Sequence, residues 1–177
     1  NKSNLRSNDF VAITVGRLVD VKNQALLINA FDEASKHCLA FSAATLRIVC
    51  EGPNYGSLER QISALKLESR IELLGRRDDI SELMQSSTVF VLSSRYEAMP
   101  MTALEAMAGG LPVIAPNVGG VPYILEHQVN GLMVEAESVA SMAQALVYAF
   151  EHRDELGAMG KAGFSRVERE FSVEHMN

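Results

Sequence analysis

Glu97 and Glu105 flank Pro100 in the run Ser93-Ser94-Arg95-Tyr96-Glu97-Ala98-Met99-Pro100-Met101-Thr102-Ala103-Leu104-Glu105-Ala106-Met107-Ala108-Gly109-Gly110. A carboxylate accepts paired hydrogen bonds from vicinal hydroxyls, so one of these groups can hold a sugar and the other a ribose. Pro100 suits a helix start, because its missing N–H costs nothing there and its φ is already helical. A helix that begins just past the carboxyl end of a strand aims free N–H groups and partial positive charge at the crevice above the sheet. An anion such as a diphosphate belongs there. With Glu97 on the loop and Glu105 inside the helix, the two stand roughly 9 Å apart along the axis at about 1.5 Å per residue. The same pattern also fits a loop charge followed by a solvated helix glutamate, a common helix residue.

An anionic ligand must be met locally, because the chain carries a net charge of −6. That balance argues against a nucleic-acid surface, which needs clustered basic residues. The local candidates are Arg17 and Lys22, just after the apolar run Phe10-Val11-Ala12-Ile13-Thr14-Val15. Two solvated loop cations would look the same in sequence.

The elements that must position these groups alternate between apolar strands and amphipathic helices, which predicts an α/β fold with a doubly wound, Rossmann-like parallel sheet. Strands are expected at 10–15, 46–50, 71–75, 89–92, 111–115 and 131–134. Helices are expected at 24–34, after the turn 51–56 with Leu58, Ile62 and Leu65 inward, at 80–85, from Pro100 to Ala108, at 139–151 and at 155–170. Gly109-Gly110 supplies a glycine-rich helix end. Residues 1–9, polar and unpatterned, look like a linker remnant, and 10–177 form one domain. Such a chain of 177 residues, 47% hydrophobic, can bury a sizeable core.

No apolar run approaches the roughly 20 residues that cross a bilayer, and the first residues lack the apolar centre of a signal peptide. Cys38 and Cys50, expected on a helix end and a strand, have neither metal nor disulfide spacing and are expected to be reduced, as in a cytoplasmic protein. His37, His127, His152 and His175 share no spacing, so no metal site is expected. A nicotinamide-dependent dehydrogenase would carry Gly-x-Gly-x-x-Gly after the first strand, and Gly16-Arg17-Leu18-Val19-Asp20-Val21 lacks it.

The unit from Glu97 to Ile114, a Glu, seven residues and a second Glu before Ala-Met-Ala-x-Gly-x-Pro-Val-Ile, resembles the retaining, GT-B-fold glycosyltransferases of the group 1 family. The resemblance extends to Val15-Gly16-Arg17-Leu18-Val19-Asp20-Val21-Lys22-Asn23, to Val118-Gly119-Gly120-Val121-Pro122 and to Asn130-Gly131-Leu132-Met133-Val134, covering about 10–171. It implies the C-terminal, donor-binding half of a GT-B enzyme. That half would bind a nucleotide diphospho-sugar and help move the sugar to an acceptor hydroxyl with retention, without a metal or other cofactor.

By this resemblance Arg17 and Lys22 grip the diphosphate and stabilise it as leaving group, Glu97 contacts the transferred sugar, and Glu105 holds the ribose. Backbone around Met99, Met101 and Thr102 faces the phosphates, Gly75, Arg76 and Arg77 border the base, and Gly16, Gly119 and Gly120 permit close backbone approach. A glycan or lipid-linked acceptor would bind through an N-terminal domain missing from this chain, in polysaccharide or lipopolysaccharide assembly at the inner face of the membrane. A non-catalytic nucleotide-sugar-binding module is the alternative. Three departures from the family pattern are Ala98 and Cys50 in place of glycines, and Tyr123 in place of a frequent glutamate after Val-Pro.

Overall fold

The computed structural model describes residues 9–171. The expected linker therefore lies outside the described residues except for Asp9, as does His175.

Six short, β-branched-rich segments form the strands: β1 (Val11–Val15), β2 (Thr45–Val49), β3 (Ile71–Gly75), β4 (Val89–Val91), β5 (Val113–Pro116) and β6 (Gly131–Val134). They pair in the order β3-β2-β1-β4-β5-β6, all parallel. Strands covered on both faces read as near-continuous apolar runs, and β1, β4 and β5 are buried throughout, with Thr14 in β1 their one polar residue.

Side chains alternate between two cores. Ala12, Ile48, Val89, Val91 and Ile114 join one core, and Ile13, Val15, Phe90, Val113 and Ala115 join the other. The first core is closed by α1 (Gln24–His37), α2 (Tyr55–Ala64) and α6 (Val139–Glu151) through Leu27, Phe31, Leu58, Ile62 and Leu146. The second is closed by α3 (Ile80–Gln85), α4 (Met101–Ala108) and α5 (Val121–Ile124) through Met84, Ala103, Met107 and Ile124. The last helix, α7 (Arg153–Glu170), sends Leu156 and Met159 into the first core and lays Val167 against the second.

The expected doubly wound sheet is present, and its six strands fall where the apolar runs place them. The differences are local. Val121–Ile124 forms one short helical turn, and 3-10 turns occupy Asp20–Lys22 and Leu39–Ala43, all too short to generate periodicity. Cys50 is not in a strand. β2 stops at Val49, and Cys50 takes φ 124°, a conformation glycine adopts without steric cost and other residues only under strain. A glycine would meet that backbone without strain, as the resemblance implied, and cysteine adopts it here.

Gly160 shows how tightly α7 crosses the chain after α4. A Cβ built there would lie 2.1 Å from the Gly110 carbonyl oxygen. Alanine would favour the helix by about 1 kcal/mol, but the opposing atom is backbone and cannot swing away, so the clash dominates. Gly160→Ala is expected to lower unfolding free energy by about 1–2 kcal/mol net, measured by urea denaturation; a gain would show that α7 can slide.

Candidate functional site

A parallel sheet leaves a crevice where neighbouring loops diverge to opposite faces. Here that point lies between β1 and β4, whose connections run to α1 on one face and α4 on the other. The residues after β1 include Arg17 and Lys22, and those after β4 include Ser93, Ser94 and Glu97. Topology thus joins two segments about 75 positions apart in the chain.

The Lys22 Nζ lies 2.6 Å from Glu97 Oε1. Ser94 Oγ donates to the same oxygen at 2.6 Å. Glu97 is only 6% exposed and Ser94 is buried, so the carboxylate is held from one side while Oε2 accepts no hydrogen bond among the described residues. An asymmetrically anchored carboxylate keeps one oxygen available for a hydroxyl donor. The two segments are also stitched through backbone: Ser93 Oγ donates to Lys22 O at 2.9 Å, and Arg95 N donates to Val21 O at 2.8 Å. Arg95 Nη1 bonds Asp20 O at 2.9 Å, and its Nε pairs with Glu137 at 2.8 Å.

Behind Glu97, the turn before α5 presses against the loop. Gly120 N donates to Glu97 O at 2.7 Å. A Cβ on Gly119 would come within 2.0 Å of that same oxygen, and Gly119 has φ 49°. A Cβ on Gly120 would come within 2.1 Å of Ala98 O. These glycines therefore admit the Glu97-Ala98 backbone, a close approach of protein to protein where one to a ligand was expected. Gly16 is different: its added Cβ would meet only the Lys22 stem, at 3.8 Å.

Arg17 is exposed and forms no side-chain hydrogen bond or ion pair among the described residues. It borders a cleft of about 460 Å³ with Cys50, Glu51, Arg76, Arg77 and Ile80. Arg77 is committed to Asp79 through a fork of 2.8 and 2.7 Å. That hydrogen-bonded fork holds the Asp79 carboxyl below its ordinary range and raises Arg77. Arg76 is exposed and, like Arg17, unpaired among the described residues, so Arg17 and Arg76 are the cations this cleft offers. Gly75 makes the turn beneath them at φ 63°.

Two expectations around α4 change. Pro100 caps the helix rather than opening it: at φ −79° and ψ 77° it adopts an inverse γ-turn, and its carbonyl accepts from Ala103 and Leu104. That turn spends the Met101 amide on Met99 O at 2.9 Å, so Met101 has no N–H to offer a phosphate. The Thr102 amide makes no such bond among the described residues. Glu105 is exposed on α4 and lines a neighbouring groove of about 360 Å³ with Ile80, Ser81 and Met84, apart from the Lys22–Glu97 pair. Since Glu97 precedes the helix, helical rise does not measure the spacing of the two carboxylates. The side chains of Met99 and Met101 are exposed.

Sequence reasoning missed Ser94, Arg95 and Gln24. Ser94, three residues before Glu97, carries the usual signal of a local side-chain hydrogen bond. Gln24 gives no such signal, since its contacts form only once the loop is folded.

The sequence profile described as glycosyl transferases group 1 matches residues 1–166. The chain is 31% identical over 173 residues to the UDP-Gal:alpha-D-GlcNAc-diphosphoundecaprenol alpha-1,3-galactosyltransferase of Escherichia coli, covering 96% of this chain and 43% of that protein. It is 29% identical over 131 residues to the N-acetyl-alpha-D-glucosaminyl L-malate synthase of Bacillus anthracis, covering 74% of this chain and 34% of that one. Among solved structures, Anabaena HepE in complex with UDP and glucose superposes with a TM-score of 0.88 at 27% identity, over 96% of this chain and 46% of HepE. The chain thus spans less than half the length of each.

Removing the ion pair tests the architecture directly. The Lys22 side chain is 29% exposed against 7% for Glu97, so the loss should fall between that of a surface pair and a buried one. Lys22→Met is expected to cost roughly 1–3 kcal/mol of unfolding free energy and Ser94→Ala about 1 kcal/mol. Because both act on one oxygen, the double variant should deviate from additivity. Additive losses in a urea double-mutant cycle would show that the two contacts are independent.

Proposed function

The chain belongs to the glycosyl transferases group 1 family, and on that premise we propose that it is the donor-binding domain of a retaining glycosyltransferase. The observation that carries this reading is the crevice between β1 and β4, where Lys22 meets a buried carboxylate with one free oxygen, on a loop that also carries the unpaired Arg17 into a cleft lined by Arg76. Cations beside a sugar-binding carboxylate match a substrate that is anionic at one end and polyhydroxylic at the other. The printed names of two similar proteins, one acting with UDP-Gal and one bound to UDP and glucose, support the same substrate class.

In this reading Arg17 and Lys22 bind the diphosphate, and Glu97 Oε2 accepts from hydroxyls of the transferred sugar. Thr102 N donates to a phosphate oxygen, Arg76 borders the base, and Glu105 holds the ribose. The bond between the anomeric carbon and the β-phosphate oxygen breaks, with its electron pair passing to the diphosphate. Positive charge at Lys22, held by Glu97, and at Arg17 stabilises that developing anion. The acceptor hydroxyl bonds to the anomeric carbon on the face the diphosphate leaves, and its proton passes to the departing phosphate. Arg17 and Lys22 supply positive charge that a divalent ion would otherwise bring, so no metal is assigned.

Acceptor recognition belongs to a further domain of the same enzyme, consistent with the span of the similar proteins. A lipid-linked glycan at the inner face of the membrane suits the acceptor named for the Escherichia coli relative, in glycan or lipopolysaccharide biosynthesis. Among the described residues no helix is long and apolar enough to cross a membrane.

Calorimetric titration with nucleoside diphosphates tests the site. Arg17→Ala and Lys22→Ala are each expected to weaken binding about tenfold or more, with circular dichroism unchanged. A folded wild-type chain that binds no nucleoside diphosphate would sink the reading. Turnover is tested on the longer protein by NMR of the product, where an anomeric configuration matching the donor's is expected. Donor binding without transfer to any acceptor pool would establish the non-catalytic module instead.

A further inference from the structure

Gln24 is the first residue of α1 and is only 3% exposed. Its Nε2 donates to two consecutive carbonyls, Gly16 O at 3.3 Å and Arg17 O at 3.2 Å, the latter also accepting from Val19 N at 2.9 Å. Two acceptors side by side demand the NH₂ end of the amide, since the oxygen end would face like charge. The rest of the loop follows the same pattern. Leu18 O accepts from Asn54 N at 3.1 Å, Val19 O from Lys22 N at 3.0 Å, and Asp20 O from Asn23 N at 3.2 Å. Val21 O and Lys22 O accept from Arg95 N and Ser93 Oγ.

Every carbonyl from Gly16 to Lys22 is therefore taken up by the protein, while the Arg17 amide donates to no acceptor among the described residues. A peptide unit has two ends, and fixing the carbonyl inside fixes which end can face an anion. The Gly16 carbonyl has no partner other than Gln24 among the described residues. Without that amide it would be free to turn toward the cleft and repel a phosphate.

We infer that Gln24 is a positioning residue for diphosphate recognition: its buried amide holds the Gly16 carbonyl inward, braces the Arg17 carbonyl beside it, and so presents the Arg17 N–H to the ligand. It acts through the loop and touches no ligand itself. The inference rests on the donor-site reading proposed above. It also specifies which phosphate is concerned. Lys22, on the same loop, contacts the carboxylate assigned to the sugar, and the sugar is joined to the β-phosphate. The loop thus serves the β-phosphate, and a nucleoside monophosphate does not use it.

Gln24→Met keeps the length of the side chain and removes both donors, whereas Gln24→Glu places a carboxylate against two carbonyl oxygens. UDP and UMP are titrated calorimetrically into wild type and both variants at one ionic strength, with thermal unfolding recorded alongside. UDP affinity is expected to fall about fivefold in Gln24→Met and about thirtyfold in Gln24→Glu, with UMP affinity held within about twofold. Equal weakening of UDP and UMP, or unchanged UDP affinity in Gln24→Met, overturns the inference. If Gln24→Glu does not fold, Gln24→Met decides alone. A wild-type chain that binds UDP no better than UMP fails differently: it removes the diphosphate reading itself, and the Gln24 role with it.

Discussion

A parallel sheet that is wound in both directions has one place where its chain changes face, and here that place is the boundary between β1 and β4. Everything distinctive about the site follows from it. The two strand ends lie side by side, yet their continuations leave for opposite layers, so neither loop can fill the gap between them. What closes the gap is the Lys22–Glu97 contact together with the bonds from Ser93 and Arg95. The charge pair is thus a seam in the fold as well as the centre of the proposed site. A charge buried as deeply as Glu97 is tolerated only with a partner and a hydrogen bond, and the loop after β1 supplies the partner.

The cations and the carboxylates differ in how they are presented. Lys22 is bound to protein, Arg17 and Arg76 are unpaired among the described residues, and Arg77 is occupied by Asp79. The cleft thus offers two ready cations, while Lys22, on the same loop as Arg17, is already shared with Glu97. Such graded availability is what the proposed nucleotide diphospho-sugar, anionic in its middle and polyhydroxylic at one end, would require.

Much of this was legible in the residues. The apolar runs located all six strands, since burial on both faces leaves a continuous signal, and the paired glutamates and the loop cations marked the segments that meet. What was hidden depends on geometry across the chain. Nothing in sequence reveals that Gly119 and Gly120 accommodate the backbone of Glu97 and Ala98, because a turn glycine and a packing glycine are spelled alike. Pro100 was placed one position too far into its helix, since the residue that opens a helix and the one that caps it differ only in ψ. Gln24 escaped notice because a glutamine at a helix start is ordinary until its two acceptors are in place.

The path of α7 has a wider meaning. The two faces of a sheet share no side chains, and each core could in principle loosen while the other held. α7 contributes Leu156 and Met159 to one core and Val167 to the other, and fits at Gly160 against the backbone that follows α4. It behaves as a clasp, making the two layers a single cooperative unit in the sense used for foldons. Opening one layer would then pull on the other through the same helix, so the two cores are expected to unfold together rather than in turn.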